Sequence, residues 1–136
     1  MTGDIPDKWL ELMSAEDRKT YAEGRLTKAE ATAKYVRRRE TQEQKIFNGW
    51  LALQSRDRKL YYVTSRTDKP TTIRKGHPDY TIFMPGRILF LEMKVEGGVL
   101  SADQTESIAF LAELGFQTHF PGSAAEAIQI VKDAIK

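Results

Sequence analysis

The chain has 136 residues, 40% of them apolar and 29% charged, with a formal net charge of +2 and no cysteine. That length supports one compact domain with a core, and the composition is that of a folded chain and not of a disordered tail. No apolar run approaches the roughly 20 residues that cross a bilayer, and without cysteine neither a disulfide nor a thiolate metal site can form. The opening MTGDIPDKWLELM lacks the basic-then-apolar form of a secretory leader, so a reducing, cytoplasmic setting is expected.

Taken in chain order, Asp4 and Pro6 open a short helix over 8–13, with Trp9 in its apolar stripe. Ser14 is placed to cap a second short helix that Gly24 ends. Thr27 and Glu30 form a capping box for a long helix over 28–54, in which Ile46, Phe47, Trp50, Leu51 and Leu53 recur at helical spacing. The period then changes, and 60–63 reads as a strand followed by a polar, basic loop to Gly76. Two further strands, 79–84 and 87–95, meet at Pro85–Gly86. Ser101 with Gln104 opens a helix to about Leu114, 116–120 is a last strand, and Ser123 caps a final helix over 124–135. The order predicts an α/β fold around a mixed sheet of about four strands, with a right-handed parallel crossover within 88–120.

Charge is unevenly spread. Residues 34–75 hold 12 Lys and Arg against 4 Asp and Glu, whereas 76–136 hold 4 against 8. A basic block of this kind suits a polyanionic partner, although a solvated helix face of mixed charge gives the same count.

The chemistry concentrates in the hairpin. Ile82, Phe83, Ile88, Leu89, Phe90 and Leu91 leave its strands no polar face, so both are expected to be covered on two sides. Asp79, Glu92 and Lys94 then stand at the ends of buried strands, where a charge is costly unless it is paired or binds a metal. A hairpin symmetric about Pro85–Gly86 pairs positions summing to 171, which sets Asp79 opposite Glu92 with Lys94 on the same face. A Pro-Gly loop has the wrong twist for a tight hairpin, so a longer loop or a bulge is the alternative. Oxygen donors alone suit Mg²⁺ or Mn²⁺, which can activate water for attack on a phosphodiester. The main-chain carbonyl of Met93 is a further candidate ligand, and Lys94 a candidate to orient water or offset developing negative charge.

Five elements follow one another in order: Gly76-x-Pro78-Asp79, Gly86-Arg87, Leu91-Glu92-Met93-Lys94, Gly98-x-Leu100-Ser101-x-x-Gln104 and Leu114-Gly115. Together they resemble the VRR-NUC (virus-type replication–repair nuclease) domain of the PD-(D/E)XK superfamily, over about residues 40–136. The resemblance implies a restriction-endonuclease-like core, with residues 1–39 as a helical N-terminal extension outside it. It implies Mg²⁺- or Mn²⁺-dependent cleavage of DNA, often flapped or four-way branched, by a homodimer in phage or bacterial replication, repair or recombination. Carried onto this chain, Asp79 and Glu92 would be metal ligands, Lys94 the catalytic lysine and Gln104 the glutamine beside the site. The family's helix acid, in a Glu-x-x-x-Gln pattern, falls on Glu40 with Gln44; Glu43, nearer the apolar stripe, is the reserve. Gln104 can equally be no more than the capping partner of Ser101. Arg37, Arg38, Arg66, Lys69, Arg74 and Lys75 are candidate phosphate contacts. A sequence-specific restriction-type enzyme and a non-cutting DNA-binding protein of the same fold are the alternatives, and no membrane association is expected.

Overall fold

In a computed structural model, described over residues 11–65 and 74–135, the elements are α1 (Ala15–Ala22), α2 (Lys28–Arg56), β1 (Tyr61–Thr64), β2 (Tyr80–Met84), β3 (Arg87–Leu91), α3 (Ala102–Glu113), β4 (Thr118–His119) and α4 (Ala124–Ile135). Of the helix expected over 8–13, residues 8–10, Trp9 among them, lie outside the described residues, as do Arg66 and Lys69, while 11 and 12 are helical. Among the described residues no helix is long and apolar enough to cross a membrane.

The capping chemistry forms as the sequence predicts. The Thr27 hydroxyl accepts from the Glu30 N–H while the Glu30 carboxylate accepts from the Thr27 N–H, and Ser101 and Gln104 make the same reciprocal pair. Ser14 accepts from the Asp17 N–H at the head of α1. Helix α2 runs unbroken through residue 40, so the N-terminal segment and the sheet share one element.

The sheet is mixed and four-stranded in the order β1-β2-β3-β4, antiparallel except for the parallel β3–β4 pair. Hairpin β2–β3 keeps the predicted register throughout, from Tyr80 opposite Leu91 to Met84 opposite Arg87. Only Pro85 and Gly86 lie in the loop, and Gly86 takes φ +67°, a conformation that proline at the preceding position leaves open to glycine. Neither the longer loop nor the bulge forms.

The core lies between one sheet face and helices α2 and α4. Tyr80, Ile82, Leu89, Leu91 and Met93 meet Phe47 and Leu51 of α2 and Ala127 and Val131 of α4. The other face is covered only in part. Phe90 is buried against His77 and Phe116, but Phe83 and Ile88 toward the loop end are 38% and 41% exposed. The expectation of two covered faces therefore holds near the charged end of the hairpin and fails at its tip, beyond Phe90. The apolar stripe of α2 also needs correction: Ile46 and Leu53 are exposed. Its buried positions are Ala31, Tyr35, Glu43, Phe47 and Leu51, a four-residue ridge interrupted at the part-buried Arg39. Such a ridge winds slowly around the helix, so its start meets Met13 and Leu26 beside α1 and its end meets the sheet.

Candidate active site

Past Leu91 the chain stays extended: the Glu92 and Lys94 N–H groups donate to the carbonyls of His119 and Pro121 at 2.9 and 3.0 Å. Backbone groups of successive extended residues point to opposite sides, so those of Met93 turn away from β4 and toward Asp79. The Met93 N–H donates to Asp79 Oδ2 at 2.9 Å, and in extended backbone a residue's carbonyl points to the same side as its N–H. Asp79 answers across the hairpin, its N–H donating to Glu92 Oε1 at 3.2 Å. The predicted register has brought the two carboxylates together.

Upstream, Gly76 fixes the approach. Its φ is +86°, and a Cβ there would lie 2.3 Å from the Asp103 carbonyl oxygen, so only glycine lets the 77–79 segment pass the first turn of α3. Ser65 holds the same segment from β1, its hydroxyl donating to the Pro78 carbonyl at 2.7 Å.

Gln104 combines the two roles that the sequence leaves open. Its Oε1 accepts from the Ser101 N–H in the capping box, and its Nε2 donates to Glu92 Oε2 at 2.8 Å. Lys94 Nζ lies 3.5 Å from the same Glu92 oxygen, with 16% of the lysine side chain exposed. From the other wall, Gln44 donates to Asp79 Oδ2 at 3.3 Å. Glu40, Gln44, Asp79, Lys94 and Gln104 line one cleft of about 610 Å³, closed on a further side by Gly97 and Gly98. A Cβ at Gly98 would lie 3.1 Å from the Val95 carbonyl oxygen and reach Glu40 and Lys94 at 3.6 Å, ordinary contact.

The two candidate helix acids separate. Glu40 lies one turn off the buried ridge and faces the cleft. Glu43 lies on the ridge and faces away: its carboxylate accepts from the Ala124 N–H at 2.7 Å, at the head of α4, and is paired with Arg39. It is thus an anchor between α2 and α4. Glu43→Ala is expected to cost about 1–3 kcal/mol, because a buried N–H loses its acceptor. Glu40→Ala is expected to cost less than Glu43→Ala, because at its half-buried cleft position burial already disfavours the charged carboxylate. Urea unfolding of the two variants measures both.

The basic residues also separate. Arg37 lines the site cleft and Arg38 the cleft beside it. Arg74 reaches Glu106 at 3.7 Å and lies over the Phe110 ring, while Lys75 pairs with Asp103 at 3.2 Å. Both therefore decorate α3 and do not line the site cleft. One contributor went unread in the sequence: Asn48, whose Oδ1 accepts from the Tyr80 hydroxyl at 2.7 Å. Its signal is the spacing of Glu40, Gln44 and Asn48, four residues apart on one flank of α2. Burial pushes the Tyr80 phenol up, which keeps it a donor.

Electrostatics set these carboxylates apart. Burial, and then the charge of Asp79, push Glu92 up to about 8; burial raises Asp79 and Glu40 as well. Burial thus favours the protonated form of Glu92 more than it would for a solvated carboxyl. Among the described residues no three Asp, Glu or His side chains converge as a finished ligand set. Two facing carboxylates, a third acid on the cleft wall and a turned main-chain carbonyl still fit Mg²⁺ or Mn²⁺, which take one or two carboxylates and keep several waters. The raised Glu92 value has a consequence for stability. The unfolded chain ionises this group near 4.5 and the folded chain near 8, so stability falls as pH rises across that window. Metal-free protein is expected to melt at a lower temperature at pH 8 than at pH 5, with the slope reduced in Glu92→Gln and on adding Mg²⁺; calorimetry across pH checks it.

Compared with protein-family models, with curated proteins and with solved structures, the chain matches none.

Proposed function

We propose that this protein is a metal-dependent DNA endonuclease with a restriction-endonuclease-like core, resembling the VRR-NUC branch of the PD-(D/E)XK superfamily. The observation that carries the reading is the convergence of Asp79, Glu92 and Lys94 at the open end of the β2–β3 hairpin, away from its Pro85–Gly86 loop, beside a cleft lined by Glu40, Asp79, Lys94 and Gln104. Paired carboxylates held out of water beside a lysine are unfavourable for stability alone and well suited to a divalent ion and a phosphate.

In this reading Asp79 and Glu92, with the Met93 carbonyl, hold Mg²⁺ or Mn²⁺. The ion supplies Lewis-acid charge to the scissile phosphate and lowers the pKa of the attacking water. The chain's own residues supply position. Gln104 and the Asp79 N–H fix the two oxygens of Glu92, and the Met93 N–H and Gln44 fix Asp79 Oδ2. Lys94, on the cleft wall, offsets negative charge that develops on the phosphate oxygens. Arg37 on the same wall offers a contact to the backbone of the strand. The described part of the fold presents no separate module for reading bases, which favours selection by DNA shape, and branched or flapped DNA is the proposed substrate. Pairing of two copies on a two-fold junction belongs to the same proposal.

The test is incubation with end-labelled single-stranded, duplex, flapped and four-way-junction DNA in Mg²⁺, Mn²⁺ or EDTA. Metal-dependent cuts near branch points are expected. Cuts at one fixed duplex sequence would support the restriction alternative, and tight binding with no cuts in either metal would leave a binding protein.

A further inference from the structure

A second cleft, of about 340 Å³, lies between α1 and α2, with Asp17, Lys34, Arg37, Arg38 and Thr41 in its lining. Arg37 and Thr41, one helical turn apart, also line the site cleft, so the two hollows adjoin along one face of α2. Three cations face this second hollow, and one carboxylate answers them. Asp17 reaches Lys34 Nζ at 3.4 Å and Arg38 Nη2 at 3.7 Å, and its side chain is 21% exposed against 36% and 43% for its partners.

Helix α1 is weakly anchored. None of its residues is buried, and the apolar contact beside it is the small cluster of Met13, Leu26 and Ala31 with Tyr21. Partly exposed ion pairs of this kind contribute little to stability. A carboxylate held between two cations on a weakly anchored helix is one that a phosphate can displace.

We propose that the α1–α2 cleft is a phosphate-binding surface continuing the site cleft, that it takes the backbone of a nucleic acid strand leaving the site, and that Asp17 occupies it in the free protein. The identity of the polyanion rests on the nuclease reading above. Lys34 and Arg38 exchange Asp17 for phosphates, and Arg37 bridges the two hollows. Asp17 thereby lowers affinity for any polyanion that does not reach across both.

Fluorescence anisotropy in EDTA, with a labelled duplex over a salt series, tests this without cleavage. The variants are Asp17→Asn, Asp17→Glu, a charge-matched Glu113→Gln on α3, and Asp17→Asn combined with Lys34→Gln and Arg38→Gln. Asp17→Asn is expected to bind roughly tenfold tighter, with the log–log salt dependence steeper by about 1–2. Asp17→Glu should bind as wild type does, Glu113→Gln should gain far less, and the triple variant should lose the gain. The proposal is overturned if Asp17→Asn binds no more tightly than wild type, if Glu113→Gln gains as much, if the gain survives loss of both cations, or if no variant binds. Cleavage in Mg²⁺ is read separately. Protein that shows the Asp17 effect and never cuts would sink the nuclease reading alone, and protein that cuts without the Asp17 effect would sink this one alone.

Discussion

Lys94→Ala is expected to slow phosphodiester cleavage by about 10²–10³-fold at saturating metal, the usual cost of removing one group that meets developing charge. The lysine is positioned by its surroundings, with Nζ 3.5 Å from Glu92 Oε2 and little of the side chain exposed. Its charge also pulls the raised carboxylates Glu40, Asp79 and Glu92 back down. Removing it changes metal affinity as well, because the same charge acts on a bound divalent ion, and saturating Mg²⁺ isolates the chemical step. Affinity for DNA should change by less than about threefold, since one phosphate contact among several is lost. Single-turnover rates beside anisotropy measurements separate the two quantities. A variant that cuts at the wild-type rate would remove Lys94 from the mechanism.

Phe47→Ala is expected to destabilise the fold by about 3–5 kcal/mol, the range for deleting a fully buried aromatic ring. Phe47 is 0% exposed, stacks on Trp50 with ring centroids 6.2 Å apart, and meets the Tyr80 ring edge-on at 4.8 Å. Tyr80 adjoins Asp79 in sequence and holds Asn48 through its hydroxyl, so this ring sets α2 against the strand that carries the site. A loss of that size is a large part of the about 5–15 kcal/mol of a typical domain. Urea denaturation should show a lower midpoint with an unchanged slope; a shift below about 1 kcal/mol would mean that the ring does not bear the packing assigned to it.

The hairpin was legible because one short loop fixes every pair beyond it. Once Pro85 and Gly86 turn the chain, period two places Asp79 against Glu92. The capping boxes were legible for a similar reason, since both partners lie within three residues. Features that join distant segments were not. Nothing local to Glu43 says that it meets the Ala124 N–H, which only the packing of α4 on α2 decides. The apolar content of Phe83 and Ile88 reads the same whether or not a helix covers them, and both are more than a third exposed. Charge counting marked Arg37, Arg38, Arg74 and Lys75 alike, yet two stand at the clefts and two are paired along α3. A sum over a segment carries no direction. Asp17 was one of many acids until the fold set it between Lys34 and Arg38.

The measurement that bears most directly on the central claim needs no knowledge of the substrate: titration of Mn²⁺ into labelled protein, read as paramagnetic broadening of backbone amide signals. Even weak binding is seen this way, residue by residue. The amides of Asp79, Glu92, Met93 and Lys94 are expected to broaden first, at the lowest Mn²⁺ concentration, and to lose that priority in Asp79→Asn while Mg²⁺ competes in the wild type. Broadening that begins elsewhere, or that is the same in Asp79→Asn, would contradict a divalent-ion site between these two carboxylates.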